Sequence, residues 1–417
     1  MKDRKYNVLD LFAGCGGLSN GFEQAGFNIV AANEFWAPAG ETYVKNHKDT
    51  KFFPGDITSD ETKNNIFNFF KNTKCDVIVG GPPCQAYSTA GLRDPNDPRG
   101  RLFEDYVEIV EHLQPKIFVM ENVKGILTIE HDRDDLTEEE AKEFQEYKDF
   151  EVEKKDLLLL RKQSKNNEER WKWGQKEEMR LDEVKRELRR RLPETLKFRE
   201  LVTDKIVKRF KKIGYNVKFK LLNSANYGVP QKRQRVFFIG TKSSIDIKHP
   251  EPTHSENGQK SLNDDNLLPW VTVRDAIDDL KHNGEDIDFN HILTNHNDEF
   301  LTKINNTKIG SSVFGGYSDA FFRNSPDLPS RTVKENHGGV LVHYEKDRVM
   351  TPRELARLQS FPDKFKFEGS KSKILVQIGN AVPPGLGKAV GGAVKDMLDK
   401  LDNSEKEQGN LNSFISQ

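Results

Sequence analysis

The chain has 417 residues, enough to bury a real core and to form two domains. Lys and Arg number 65 against 66 Asp and Glu, so a net charge of −1 gives no global attraction to a polyanion, and any nucleic-acid surface must be local. Three cysteines without a CxxC pair argue against a disulfide framework or a cysteine zinc site, ten histidines form no HExxH, and no apolar run approaches the ~20 residues of a membrane span. No signal peptide precedes the first strand, so a soluble cytoplasmic protein with reduced thiols and no metal is expected.

Asn7–Phe12 reads as a first strand. The turn Phe12-Ala13-Gly14-Cys15-Gly16-Gly17 lets a ligand approach backbone closely, and a helix follows from about Leu18 to Ala25. A dinucleotide fingerprint wants a third glycine at position 19, where Ser19 stands, which disfavours a nicotinamide enzyme. The second strand, from Asn28, ends at Asn33-Glu34, where a carboxylate can take ribose hydroxyls. Phe35 could stack on an adenine. Asp56, after Lys51-Phe52-Phe53, could accept from its amino group or cap the next helix. Two acids and an aromatic, with few phosphate-facing features, suit adenosine without pyrophosphate, and S-adenosylmethionine is that ligand.

The apolar run Val77-Ile78-Val79 reads as a buried strand, ended sharply by Gly80-Gly81-Pro82-Pro83. That turn delivers Cys84 at the strand's carboxyl edge, where chemistry collects in a parallel α/β sheet. A lone thiol is more often a small buried hydrophobe. A helix over Leu102–Leu113 leads to a strand from Lys116 to Met120, closed by Glu121-Asn122. Burial should raise the proton affinity of Glu121, although a helix-capping carboxylate is the plainer role. Strand, turn and helix alternate as in a Rossmann-like, doubly wound parallel sheet, which strands near 217–222 and 235–240 extend. Gln231, Arg233 and Arg235 would share one strand face, where two guanidiniums can grip an oxygen or form a salt-bridged edge.

Two segments break that rhythm. Residues 131–200 are almost all charged, acidic first and basic around Arg189-Arg190-Arg191, and read as a projecting helical hairpin whose arms pair by charge rather than as core. From about Thr241 to Tyr344 the chain is rich in Asn, Gly, Ser and Pro and looks like a smaller, loop-rich domain. His249, His254, His291 and His296 lie in polar, loop-like sequence and suit hydrogen bonding better than ligation. The organisation expected is a catalytic domain over 1–240 carrying the 131–200 insertion, a small domain over 241–370, a return to the catalytic domain over 371–401, and a frayed polar tail over 402–417.

Taken in order, Asp10-Leu11-Phe12-Ala13-Gly14-Cys15-Gly16-Gly17, Gly81-Pro82-Pro83-Cys84-Gln85, Glu121-Asn122-Val123, Gln231-x-Arg233-x-Arg235, the stretch Arg353 to Pro362, and Gly379-Asn380-Ala381-Val382-Pro383-Pro384 resemble the DNA cytosine-5 methyltransferases. The resemblance implies S-adenosylmethionine bordered by Phe12, Gly14, Gly16, Glu34, Phe35, Asp56, Ile57, Pro82 and Leu102, with Asn380 and Ala381 completing the pocket. It implies double-stranded DNA in a cleft between two domains, with target recognition between Gly240 and about Leu328. Cys84 would attack C6 of a flipped-out cytosine, Glu121 would contact N3 and the exocyclic amine, Arg235 would hold O2, and Arg233 would help order the site. Gln85, Ser88, Arg93, Arg99, Lys232, Arg331 and Lys334 are candidate DNA contacts, Gln85–Arg99 forming a loop that closes behind the base. A prokaryotic, DNA-associated monomer is expected, with a restriction endonuclease of the same target that forms no stable complex with it. Methylation of RNA by the same machinery, or a non-catalytic DNA-binding regulator, are the alternatives.

Overall fold

In a computed structural model the described residues are 5–83, 102–133, 135–165, 173–258, 267–314, 321–335 and 341–415. Elements follow in chain order. The first half of the sheet region comprises β1 (Asn7–Leu11), α1 (Gly17–Gln24), β2 (Asn28–Glu34), α2 (Ala37–Asn46), β3 (Lys51–Pro54), α3 (Asp60–Phe70) and β4 (Val77–Gly80). Then come α4 (Leu102–Leu113), β5 (Ile117–Val123), β6 (Glu130–Asp132), α5 (Glu138–Lys165), α6 (Gln175–Thr195), β7 (Arg199–Leu201) and α7 (Val202–Lys212). They are followed by β8 (Asn216–Asn223), β9 (Gln234–Thr241), β10 (His254–Ser255), β11 (Leu268–Pro269), α8 (Val273–Ile277) and α9 (Asp298–Asn305). The chain closes with α10 (Pro352–Leu358), α11 (Lys371–Asn380) and α12 (Pro384–Ile415).

Seven strands form one sheet in the order β3-β2-β1-β4-β5-β9-β8. The first five are parallel, as expected of alternating strands and helices. Of the seven, β9 alone runs the other way, pairing antiparallel with both β5 and β8, a correction to the parallel sheet expected. Only a short 3-10 turn at Ser224–Tyr227 and a few further residues join β8 to β9, too little chain for a parallel crossover. The strand order reverses between β1 and β4, so a crevice opens at their carboxyl ends. Register puts Leu11 opposite both Asn33 and Gly80, Glu34 opposite Pro54, and Gly80 opposite Met120. The loops after these strands therefore emerge along one edge.

Apolar side chains of β1, β4, β5 and β9 pack against α1 and α12 in one core that includes Val8, Phe22, Val79, Val119, Phe237 and Val390. Helices α1 and α12 approach through glycine: a Cβ on Gly21 would lie 2.7 Å from the Cα of Gly387. A second core joins Phe322, Val333, Phe361, Phe365 and Ile378 with Cys15 of the glycine turn. The described residues divide into two units, one within 5–83, 102–124 and 209–415, the other within 125–208.

The second unit contains α5 and α6. Its arms pair by charge, Arg180 with Glu153, Arg161 with Glu178 and Arg191 with Glu146. Phe144, Tyr147, Val184, Leu188 and Phe198 form a buried cluster of their own within this unit. Helical spacing places Phe144 and Tyr147 on one face of α5, and Val184 and Leu188 on one face of α6. The stretch from Asp402, expected to fray, is instead helical to Ile415. Lys116 binds Asp402 (2.7 Å) and Glu405 (2.9 Å) and anchors it.

Candidate active site

The glycine turn lies at the end of β1. Gly14 and Gly16 have φ of +56° and +96°, a region only glycine enters cheaply, and Phe12 is held at +56° despite its side chain. Glu34, at the end of β2, ties the turn down: one carboxylate oxygen accepts from the Gly14 N–H (2.8 Å) and the other from the Trp36 N–H (2.7 Å). Burial raises the proton affinity of Glu34, and those two N–H groups oppose it. Each oxygen keeps a lone pair for a further donor. A Cβ added at Gly14 would meet nothing within 4 Å, so that side of the turn is open. Phe35 beside it is 72% exposed, a free aromatic face. Asp56 is exposed and closes its own turn through the Thr58 N–H (2.9 Å); Ser59, not Asp56, precedes α3. Ile57 is buried, and Leu102 is half-buried at the start of α4.

The last motif returns to this turn. A Cβ on Gly17 would lie 2.3 Å from the Val382 carbonyl oxygen and 3.3 Å from the Ala381 methyl. Asn380 ends α11 with its side chain exposed. An open glycine turn, a carboxylate with spare lone pairs and an exposed ring fit an adenosine-bearing ligand, and no Lys or Arg lies in this set to ask for a phosphate.

Beneath the turn lies a polar cluster that sequence reasoning missed. Asp10 is buried within β1, and one of its oxygens accepts from the Ser19 hydroxyl (2.6 Å) while the other has no partner. Ser19 also meets the Tyr43 hydroxyl (2.8 Å). Burial pushes the Asp10 carboxyl up to about 7. A carboxylate between Leu9 and Leu11 of an apolar strand was the signal available.

The other end of the crevice belongs to β4, β5 and β9. Glu121 is 9% exposed and pairs with Arg235, Nε to Oε1, at 2.8 Å. Burial raises its proton affinity; Arg235 and Arg233 oppose the rise. A Cβ on Gly81 would stand 2.9 Å from the Glu121 Oε2, so glycine there lets the Pro82-Pro83 turn pass the carboxylate. Asn122 fixes that turn by donating to the Pro82 carbonyl (3.1 Å), and its own oxygen accepts from the Val123 N–H. Pro82 is buried and Pro83 exposed. Cys84, Gln85, Ser88, Arg93 and Arg99 lie outside the described residues.

The Gln231-x-Arg233-x-Arg235 motif divides. Gln231 and Arg233 precede β9 and do not share a strand face with Arg235, a correction to the expected alternation. Gln231 is buried in an amide network, donating to Gln359 (2.8 Å) and accepting from the Val333 N–H (2.9 Å). Arg233 is 1% exposed and donates to the carbonyls of Val333 (2.7 Å) and Gly379 (2.9 Å). It therefore ties the segment after Ser330 to the Asn380 motif, and its Nε has no partner. The stretch from Arg353 is likewise scaffold: Arg353 donates to the Phe289 and Phe365 carbonyls, and buried Glu354 pairs with Arg348.

Lys232, Arg331 and Lys334 are exposed on neighbouring backbone, where Gln231 bridges Ser330 in parallel. Lys232 stands 4.6 Å over the Trp270 ring, and Arg331 lies 3.6 Å over Phe322. Among the described residues no cluster of three metal-ligating side chains occurs, and no helix is long and apolar enough to cross a membrane.

A family model described as C-5 cytosine-specific DNA methylase matches residues 6–159 and 195–396. The Type II methyltransferase M1.HphI of Haemophilus parahaemolyticus is 32% identical over 404 residues, covering 93% of this chain and 86% of its own. The Type II methyltransferase M.NgoFVII of Neisseria gonorrhoeae is 32% identical over 421 residues, covering 96% and 91%. Among solved structures, a putative DNA modification methyltransferase encoded within a prophage of E. coli shares the fold, with 23% identity and a TM-score of 0.62 over 95% of this chain and 100% of that one.

Proposed function

The chain belongs to the C-5 cytosine-specific DNA methylase family, and from that premise we propose that Glu121, Arg235 and Cys84 methylate a flipped-out cytosine in a specific duplex sequence. The enzyme is a DNA cytosine-5 methyltransferase with S-adenosylmethionine as methyl donor. One observation carries the assignment of residues: a buried carboxylate paired with a guanidinium stands against the glycine-proline turn that leads into Cys84.

The Cys84 thiolate adds to C6, forming the S–C6 bond and sending electron density toward N3 and O2. Glu121, its proton affinity raised by burial, holds a proton at N3 as that density develops and accepts from the exocyclic amine. Arg235 stabilises O2 and orients Glu121. C5 is then an enamine carbon, nucleophilic enough to take the electrophilic methyl that bound S-adenosylmethionine supplies. Loss of the C5 proton to water and of Cys84 from C6 restores the aromatic ring. Glu34 takes the ribose hydroxyls, Phe35 stacks on the adenine, and Arg233 positions the Asn380 motif rather than touching the base.

Lys232, Arg331 and Lys334 contact phosphates, as do Arg93 and Arg99. Target sequence is read between Gly240 and about Leu328. With Type II methyltransferases as its relatives, the protein works as a cytoplasmic prokaryotic monomer that protects a sequence from a restriction endonuclease without binding that enzyme stably. Bisulfite sequencing of DNA from cells expressing the chain tests the reading. One methylated sequence motif is expected, and none with Cys84→Ala. Unmethylated DNA from cells holding soluble protein would sink it.

A further inference from the structure

The back of the glycine turn rests on a side chain that the chemistry above leaves unused. His47 follows α2, one turn beyond Tyr43, and their rings stack with centroids 4.4 Å apart. The imidazole is fully buried. Its Nδ1 lies 2.8 Å from the Glu23 carboxylate on α1, while its Nε2 has no partner. That free nitrogen faces Gly16: a Cβ built on Gly16 would stand 2.3 Å from Nε2, 2.8 Å from Cδ2 and 3.1 Å from the Tyr43 ring. Gly14 opens to empty space two residues earlier, whereas Gly16 has the imidazole edge directly against it.

We propose that His47, oriented by Glu23, is a positioning residue for the cofactor: its ring edge is the floor that sets the height of the Gly14–Gly17 turn. The inference rests on the reading of that turn as the S-adenosylmethionine site. The tautomer follows from the partners. Glu23 accepts a hydrogen bond from Nδ1–H, and Nε2 then faces the Gly16 backbone. The opposite tautomer would bury an N–H with no acceptor and leave Nδ1 facing a carboxylate. Glu34 holds the turn at Gly14 from the ribose side, and His47 holds it at Gly16 from behind. The backbone that must meet the ligand is thus fixed at two points, and ligand binding does not have to order it.

The test measures S-adenosylmethionine binding by calorimetry and steady-state kinetics on full-length variants. His47→Ala should raise the cofactor KM about tenfold, leave kcat at saturating cofactor within about twofold, and leave DNA affinity unchanged. Glu23→Ala, which frees the ring without deleting it, should move the same constant in the same direction and serves if His47→Ala does not fold. A double-mutant cycle isolates the contact. Gly16→Ala suffers both a strained φ and a clash with Nε2, and removing the imidazole relieves only the clash. Gly16→Ala with His47→Ala should therefore bind cofactor more tightly than Gly16→Ala alone. Additive losses in the cycle, or an unchanged cofactor KM in folded His47→Ala and Glu23→Ala proteins, would overturn the proposal. Glu34→Ala separates the two levels. If it weakens cofactor binding while the His47 and Glu23 variants do not, the positioning role fails alone. If none of them changes cofactor affinity, the turn is not the cofactor site.

Discussion

Replacing Arg235 with Leu probes the chemical end of the crevice most sharply. The substitution keeps bulk but strands the Glu121 carboxylate, whose side chain is 11% exposed, beside a partner position that was 14% exposed. Removing one member of a buried pair costs ~3–5 kcal/mol, and the residual exposure here places the loss near ~3 kcal/mol. The loss must also depend on pH. Burial already holds the Glu121 pKa above its ordinary 4.5, and losing Arg235 removes the charge that most opposes the rise. A carboxyl with a raised folded pKa gives stability that is fully present below its unfolded pKa and is lost as pH rises through the folded one. The deficit of Arg235→Leu should therefore be small near pH 4.5 and full above the folded pKa. Urea unfolding at pH 5 and pH 8 measures it, and Glu121→Gln in the Arg235→Leu background should recover much of the loss at pH 8. Arg233→Leu should show a weaker pH dependence: two carbonyls lose their donor, roughly 1–3 kcal/mol for each group left unpaired at any pH, and Glu121 loses a second opposing charge but no hydrogen bond. A pH-independent deficit at Arg235, or losses at Glu121 and Arg235 that add within ~0.5 kcal/mol, would refute the coupling.

Three further outcomes are expected. Glu34→Ala should weaken S-adenosylmethionine binding by about ten- to a hundred-fold, ~1.5–3 kcal/mol, and spare cofactor-independent DNA affinity; equal calorimetric affinities would remove Glu34 from the site. Asp10, pushed from 3.8 to about 7, should make the wild-type protein lose up to about 4 kcal/mol of stability between pH 4 and 7, a slope that Asp10→Asn should flatten in urea titrations and that an identical mutant profile would contradict. Replacing about 132–198 with a Gly/Ser linker should leave a folded enzyme with its target unchanged. Arg191 is engaged with Glu146, and Arg190 with Glu187, so the slope of log affinity against log salt should hold, and a fall of two contacts, at ~0.9 each, would make the hairpin a DNA clamp.

The sheet was legible because strand, turn and helix alternate with period and punctuation intact, and α4 begins and ends at Leu102 and Leu113 as read. The burial of Glu121 was legible because a carboxylate straight after Phe118-Val119-Met120 is drawn in with the apolar strand, where its proton affinity rises. What escaped depended on contacts distant in sequence. Gln231 and Arg233 look like strand alternation until Gln359, Val333 and Gly379 come to meet them. His47 looks like the solvated end of a helix until Gly16 closes over it, and Ser19 looks like a missing glycine until it satisfies Asp10. The core of the hairpin was hidden by composition: five buried side chains among many charges do not lower the mean polarity.

The most direct test of the assigned chemistry is a duplex carrying 5-fluorocytosine at a mapped target, incubated with S-adenosylmethionine. Fluorine cannot leave C5 as a proton does, so the reaction should stall after methylation with DNA bonded to the protein. Mass spectrometry of the denatured product should place one methylated nucleotide on Cys84, and Arg235→Leu should slow its formation. A proven target that is methylated normally but yields no denaturant-stable adduct, or an adduct on any other residue, would contradict the assignment.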